Sequence, residues 1–274
     1  MTVTHGEKVV REFSKQADSF ADPRLNSAFT RHLDRLVRFM EPELDLEDVV
    51  LEVAAGTALV SRAIARRVRH VTALDLTPAM LAQGKREADR EGVTNLTFTR
   101  GDATALPYLD RSFTLVVTRF SLHQVADPAA VVAEMARVSR PGAALIVADL
   151  VRTEGEAGES GDAEGGAEGG AGGDADRIER LRDPSHNALL TERQITDLLT
   201  GAGAEVKRTD RFDHVRPLEP WLALSRTPEE AAAQIRKELA DELSGGPATG
   251  MRPSVVDGET HFTHSNVFVQ AIAG

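Results

Sequence analysis

A chain of 274 residues with 41% hydrophobic content is long enough for one large α/β domain or one domain with a modest insertion. It has no cysteine, which excludes disulfides and thiolate metal sites, and its few aromatics (4%) leave the core to Val, Leu, Ala and Ile. The net charge of −11 sits mostly in Glu154, Glu156, Glu159, Asp162, Glu164, Glu168, Asp174 and Asp176, a run without Lys or Arg, so the acidity belongs to one segment and no basic face for nucleic acid remains.

The opening residues hold no apolar run, so no signal peptide is expected, and no stretch is long enough to span a bilayer. The expected location is the cytoplasm. From residue 48 the pattern alternates short apolar runs with helical spacing. Strands are expected over 48–53, 70–74, 96–100, 112–118 and 143–151, with helices over 58–68, 78–91 and 128–139. Thr77 and Pro78 read as N-cap and first residue of the second of these helices. Residues 152–176 are low-complexity Gly, Glu, Ala and Asp, a composition expected to form a disordered linker. Beyond it a helix is expected over 191–200 and final strands over 204–212 and 265–273. Between those strands, Thr227-Pro228-Glu229-Glu230 reads as a capping box opening a helix with Ala231, Ile235 and Leu239 on one face. Continuous apolar strands in βα repeats predict a parallel sheet covered on both faces.

Four segments carry chemistry. The run Val49-Val50-Leu51-Glu52-Val53-Ala54-Ala55-Gly56-Thr57-Ala58 takes a strand through a small-residue turn into a helix, which presents backbone N–H groups to a ligand. Asp75 ends the second strand about 20 residues later, where a carboxylate meets ribose hydroxyls and repels a 2′-phosphate. Arg100-Gly101-Asp102-Ala103-Thr104-Ala105-Leu106-Pro107 follows the third strand. Val117-Thr118-Arg119-Phe120-Ser121-Leu122-His123-Gln124-Val125 follows the fourth.

Taken together over about residues 45–151, these segments resemble class I S-adenosylmethionine (SAM) dependent methyltransferases, in the branch that includes ubiquinone and menaquinone biosynthesis enzymes and other small-molecule methyltransferases. The first turn departs from that family's pattern, because Ala54 and Ala58 stand where the outer glycines are usual and only Gly56 remains. The resemblance implies a Rossmann-like α/β fold with a seven-stranded, mostly parallel sheet, helices on both faces and helical lid elements. It implies SAM as cofactor and divides the chain into a helical cofactor lid (1–44), a SAM-binding core (45–151), the acidic linker (152–176) and a C-terminal part (177–274) with a substrate lid near 215–245. By position it assigns Glu52 to the methionine amino end, Ala54 and Gly56 to the turn, Asp75 and Leu76 to the ribose, Asp102 and the Ala103 backbone to adenine, and Arg119 to the cofactor's acceptor side. Phe13, Gln16 and Phe20 are implied to close over the cofactor.

Methyl transfer from a sulfonium needs alignment, exclusion of water and sometimes removal of a proton. His123, just past strand four, and His186, in an Asp-Pro-Ser-His turn, are the candidate bases, each with an ordinary structural role as the alternative. Arg182 and Arg119 are candidates to steer a carboxylate or enolate. His261 and His264 have no nearby third ligand, so no metal is expected. The expected partner is a small-molecule acceptor such as a quinone-like ring or a secondary metabolite. Neither nucleic acid nor a membrane span is expected, and a homodimer is compatible with the sequence. The competing reading is a homologue that binds SAM or S-adenosylhomocysteine without turnover, as a scaffold or regulator.

Overall fold

A computed structural model describes residues 3–152 and 174–274. Most of the acidic run lies outside the described residues, and with it the expectation of a disordered linker. Three helices come first: α1 (His5–Gln16), α2 (Pro23–Thr30) and α3 (Leu33–Met40). The βα repeats follow as β1 (Val49–Val53), α4 (Leu59–Ile64), β2 (His70–Asp75), α5 (Pro78–Glu91), β3 (Leu96–Arg100), β4 (Phe113–Arg119), α6 (Pro128–Val138) and β5 (Ser139–Val151). The C-terminal part holds α7 (Ala175–Arg182), α8 (Glu192–Gly201), β6 (Ala204–Pro217), α9 (Leu218–Leu224), α10 (Glu229–Leu243), β7 (Ser254–Val256) and β8 (Glu259–Ala273).

All eight strands join one sheet in the order β3-β2-β1-β4-β5-β8-β6, with the short β7 added to β8. Strands β1 to β5 pair in parallel, and β8 runs antiparallel to both neighbours. The expected mostly parallel Rossmann-like sheet is therefore present, with one strand more than the seven expected. Alternation along the strands sorts side chains to two faces. Leu51, Val53, Val116, Leu145 and Val147 pack with α6 and α8, while Val50, Leu115, Val117, Ile146 and Ala148 pack with α3 and α4.

A third apolar cluster forms away from the sheet. Trp221 of α9 lies 4.6 Å from the Phe262 ring, and Ile178 of α7 with Ala232, Ile235 and Leu239 of α10 close around them. Ala232, not Ala231, begins the buried stripe of α10. The expected capping box is absent: Pro228 is the N-cap, and the Thr227 hydroxyl, one position outside, donates to the Arg182 carbonyl. By contrast, Thr191 and Gln194 form a full capping box at α8.

Two boundaries differ from the sequence reading. Helix α7 begins inside the expected linker, because Asp174 caps it by accepting from the Arg177 N–H and Asp176 is already in its first turn. Asp176 then accepts from His186 and from the Leu189 N–H, so an apparent linker residue holds the following loop. The final strands β6 and β8 run well past their expected ends and pair from Ala204 with Ala273 to Pro217 with His261. His261 and His264 thus sit inside β8, and their odd spacing points them to opposite faces.

Candidate active site

In a parallel sheet the strands all end on the same edge, and a crevice opens where the crossovers diverge to the two sides. Here that point lies between β1 and β4. The loops after β1, β2, β3 and β4 line one cavity of about 580 Å³ there, and His5, Gly6, Val9 and Phe13 of α1 cover part of it. The His5 ring, bonded to the Gln124 carbonyl at 2.5 Å, ties α1 to the loop after β4.

The turn after β1 is built from three left-handed residues. Ala54, Gly56 and Ala58 have φ of 54°, 55° and 55°. Glycine adopts this region freely and alanine only with strain. The alanines nevertheless keep the backbone shape that glycines would take. At Gly56 a Cβ would meet nothing within 4 Å, since the space above it belongs to the cavity. Behind the turn the packing is tight: a Cβ at Gly84 of α5 would stand 2.7 Å from the Thr57 carbonyl oxygen.

Asp75 holds that turn from the side. Its carboxylate accepts from the Gly56 N–H and from the Thr77 N–H, both at 2.7 Å. Thr77 and Pro78 do occupy the N-cap and first position of α5, but the Thr77 side chain makes no capping bond. The Asp75 carboxylate binds the N-cap residue's own N–H, so it fastens the start of α5 as well as the turn after β1. Burial raises its pKa against these hydrogen bonds. Each of its oxygens keeps lone-pair capacity towards the cavity it lines.

Glu52 is buried beneath the turn, where it accepts from the Ser61 N–H at 2.7 Å and the Ser61 hydroxyl at 2.5 Å. Burial pushes its carboxyl up to about 7, in spite of these bonds and of the Arg119 charge nearby. Arg119, ending β4, donates to the Phe29 carbonyl and so ties the cavity wall to α2. Leu76, Asp102 and Ala103 line the far part of the cavity. Asp102 is exposed there; among the described residues its carboxylate accepts from the Thr104 N–H and hydroxyl, and its carbonyl from the Ala105 N–H, all in its own loop.

Next to the main cavity lies an annex of about 40 Å³ that shares Phe13, Phe20, Phe29, Phe120 and Gln124 with it. Gln16 lines the annex rather than the main cavity, and donates to Asp183 at 3.2 Å. His123 also lines the annex, and its Nδ1 lies 2.5 Å from Asp149 Oδ1. The other Asp149 oxygen accepts from the Leu122 N–H at 2.7 Å, and the Leu150 N–H donates to Oδ1. A carboxylate fixed this way accepts a hydrogen bond from Nδ1–H of the neutral imidazole, the tautomer in which Nε2 is an acceptor. Burial is the largest influence on His123 and depresses its pKa; the Asp149 charge and hydrogen bond, with the Glu179 charge, together outweigh it, and the net shift is upward.

His186 is placed differently. It lies behind His123, ring centroids 5.7 Å apart, with Nε2 bonded to Asp176 at 2.7 Å, and it lines neither cavity. This position makes it a strut of the 183–189 loop instead of a base. Asp149 was the partner missed in the sequence. A lone carboxylate inside the apolar run Ala143–Val151 was the available signal, because a buried charge requires a partner. Glu179 and Arg216, which also line the annex, left no local signal; a helix and a strand from opposite ends of the C-terminal part bring them together.

Comparison with known proteins places this geometry. Residues 51–147 match the family described as methyltransferase domain. A demethylmenaquinone methyltransferase of Renibacterium salmoninarum is 44% identical over 100 residues, 36% of this chain and 40% of that protein. The chain thus covers less than half the length of that relative. An uncharacterized Bacillus subtilis methyltransferase, YcgJ, is 27% identical over 229 residues, 83% of each chain. The crystal structure of the YcgJ protein superimposes with a TM-score of 0.73 at 21% identity, covering 89% of this chain and 98% of that one. Likeness at that identity establishes the shared fold.

Proposed function

On the premise that residues 51–147 belong to the methyltransferase domain family, we propose that this chain is a SAM-dependent methyltransferase that modifies a small molecule. The observation that carries the reading is the single cavity at the carboxyl edge of the sheet, lined by the loops after four successive parallel strands. Such a crevice is where open α/β sheets hold nucleotide-like ligands. The residues fit an adenosyl group. The left-handed turn brings backbone close to the cavity, Asp75 offers a carboxylate at the end of the neighbouring strand, and Asp102 with the Ala103 backbone lies one strand further on.

In this reading Asp75 accepts from ribose hydroxyls while it pins the turn. Asp102 and the Ala103 N–H face adenine, and Leu76 stands beside Asp75 at the ribose. Glu52 and Arg119 form the charged end next to the acceptor, and Phe13 and the rest of α1 exclude water. Bound SAM supplies an electrophilic methyl whose sulfur leaves as a neutral thioether, so no strong acid is required. The proton displaced from the acceptor goes to Nε2 of His123, which Asp149 orients from behind. His123 neighbours Gln124, which lines both spaces, so the base stands at the junction of cofactor and acceptor. Gln16 closes the acceptor side instead of the cofactor.

The reading without turnover rested on the two alanines of the first turn. Both keep the left-handed backbone, which removes that support. Calorimetric titration with SAM, and separately with NAD, tests the proposal. Micromolar SAM affinity that falls at least tenfold in Asp102→Ala, with no NAD binding, is the expected result. Asp102 is the cleaner site to change, because Asp75→Ala also releases the Gly56 and Thr77 backbone. Absence of SAM binding would overturn the assignment; binding without product across an acceptor screen would restore the scaffold reading.

A further inference from the structure

The annex is small, and it is unbalanced in charge. Three of its ionised side chains are almost wholly buried: Glu179 at 2%, Arg216 at 5% and Arg182 at 8% exposure. One carboxylate therefore faces two guanidinium groups. Glu179 uses one oxygen on Arg182, at 3.3 Å from Nε, and turns the other to His264 Nε2 at 2.9 Å. Arg182 also lies over the Trp221 ring at 4.7 Å. Among the described residues Arg216 has no carboxylate within ion-pair distance, and the Glu179 charge acts on it only from further off. Its Nη1 reaches only the His264 ring at 3.3 Å, its Nε has no hydrogen-bond partner, and its guanidinium lies between the Phe29 and Phe262 rings.

A buried guanidinium without a counter-charge destabilises the free protein unless something else satisfies it. Burial and the neighbouring Arg182 charge push Arg216 down to about 9. Two other buried carboxylates of this region are engaged elsewhere: Asp149 by His123, and Asp183 by Gln16 and by the Ser185 hydroxyl and N–H. The annex is walled by aromatic rings and shares Phe13, Phe20, Phe29, Phe120 and Gln124 with the main cavity. Its volume of about 40 Å³ suits a small group such as a carboxylate.

We propose that the methyl acceptor is a small carboxylic acid whose carboxylate seats in this annex against Arg216, with the methyl-accepting atom in the main cavity. This rests on the methyltransferase reading of the main cavity. A planar fork of N–H donors suits a carboxylate, and the low-polarity walls strengthen the pair. Arg182 and Glu179 then frame the site, and Arg216 determines which acceptors enter. The nucleophilic atom lies next to the carboxylate in such a substrate, within the part of the cavity that His123 adjoins.

Calorimetric titration of the full chain, saturated with S-adenosylhomocysteine, against benzoate and benzamide tests the assignment. The two probes match in shape and differ in charge. Wild type is expected to bind benzoate at least tenfold more tightly than benzamide. Arg216→Met is expected to abolish that preference with S-adenosylhomocysteine affinity unchanged, and Arg216→Lys to restore part of it. Equal binding of the two probes, binding of neither, or a preference retained in Arg216→Met would overturn the proposal. If S-adenosylhomocysteine does not bind, the methyltransferase reading fails by itself, and the same probe comparison on the free protein still decides the annex. If Arg216→Met does not fold, the wild-type preference and the Arg216→Lys variant decide it.

Discussion

The left-handed alanines of the first turn make a prediction in which opposing terms can be weighed. For an L-residue the left-handed region costs about 1–2 kcal/mol relative to the right-handed one. Ala54→Gly removes that strain. It also frees the unfolded chain, which takes back about 0.4–1 kcal/mol. Ala54 is half-buried on the cavity wall; losing its methyl forfeits roughly half of the ~0.8 kcal/mol assigned to a fully buried one. At the middle of these ranges the balance is a gain of about 0.4 kcal/mol. Ala58 has the same φ but is fully buried among Ala55, Ala73 and Phe98. Ala58→Gly forfeits the whole ~0.8 kcal/mol, and its balance is zero or slightly unfavourable. Ala54→Val provides the contrast, because a branched Cβ at positive φ is a true outlier; a loss above about 2 kcal/mol is expected. Urea unfolding at constant m-value reads all three. The expected order of stability is Ala54→Gly, then wild type and Ala58→Gly together, then Ala54→Val well below. A neutral Ala54→Val, or an Ala54→Gly less stable than Ala58→Gly, would mean the turn is not left-handed in solution.

Other outcomes follow from the same geometry. His123→Gln is expected to lower kcat by about a hundredfold or more while S-adenosylhomocysteine affinity stays constant, and Asp149→Asn to lower it similarly by releasing the tautomer; a changed affinity with unchanged kcat would assign the pair a purely structural role. Burial first, and then the Arg216 charge, hold His264 at about 4, below its ordinary 6.5, although Glu179 pulls it up. A histidine with a depressed pKa contributes stability above its unfolded pKa and loses it as pH falls from about 6.5 to about 4, so urea midpoints should drop across that window. His264→Gln should flatten the drop. Deleting residues 154–173 is expected to leave methyl transfer intact, whereas extending the deletion to 176 should lower Tm, since Asp176 binds His186 and the Leu189 N–H.

Much of this protein can be read from its sequence because the information is local. Apolar runs of strand length alternating with helical spacing specify the βα repeats, and the small residues of 54–58 specify a tight turn whether they are glycine or alanine. Asp75 and Asp102 follow their strands at fixed distances, so their arrival on one edge of a parallel sheet comes with the repeat itself. The limits were local too. Thr227 resembled a cap residue, and a one-position shift of the helix start sent its hydroxyl to Arg182 instead. Asp176 looked like part of the acidic run because composition does not reveal that a helix begins at Ala175.

The acceptor side was decided by tertiary structure alone. His123 and His186 had equal chemical credentials in the sequence, and only the fold turns one towards the annex and ties the other to Asp176. Arg216 sits on a β6 extended past its expected end, Glu179 and Arg182 on a helix that was not expected after the linker, and Trp221 on the short helix that follows β6. No spacing links the three elements. They meet because β6 and β8 pair along their whole length and carry the third apolar cluster out over the end of the sheet. The repeating local pattern therefore determined the main cavity, and long-range packing of the C-terminal segments determined the charge and size of the annex.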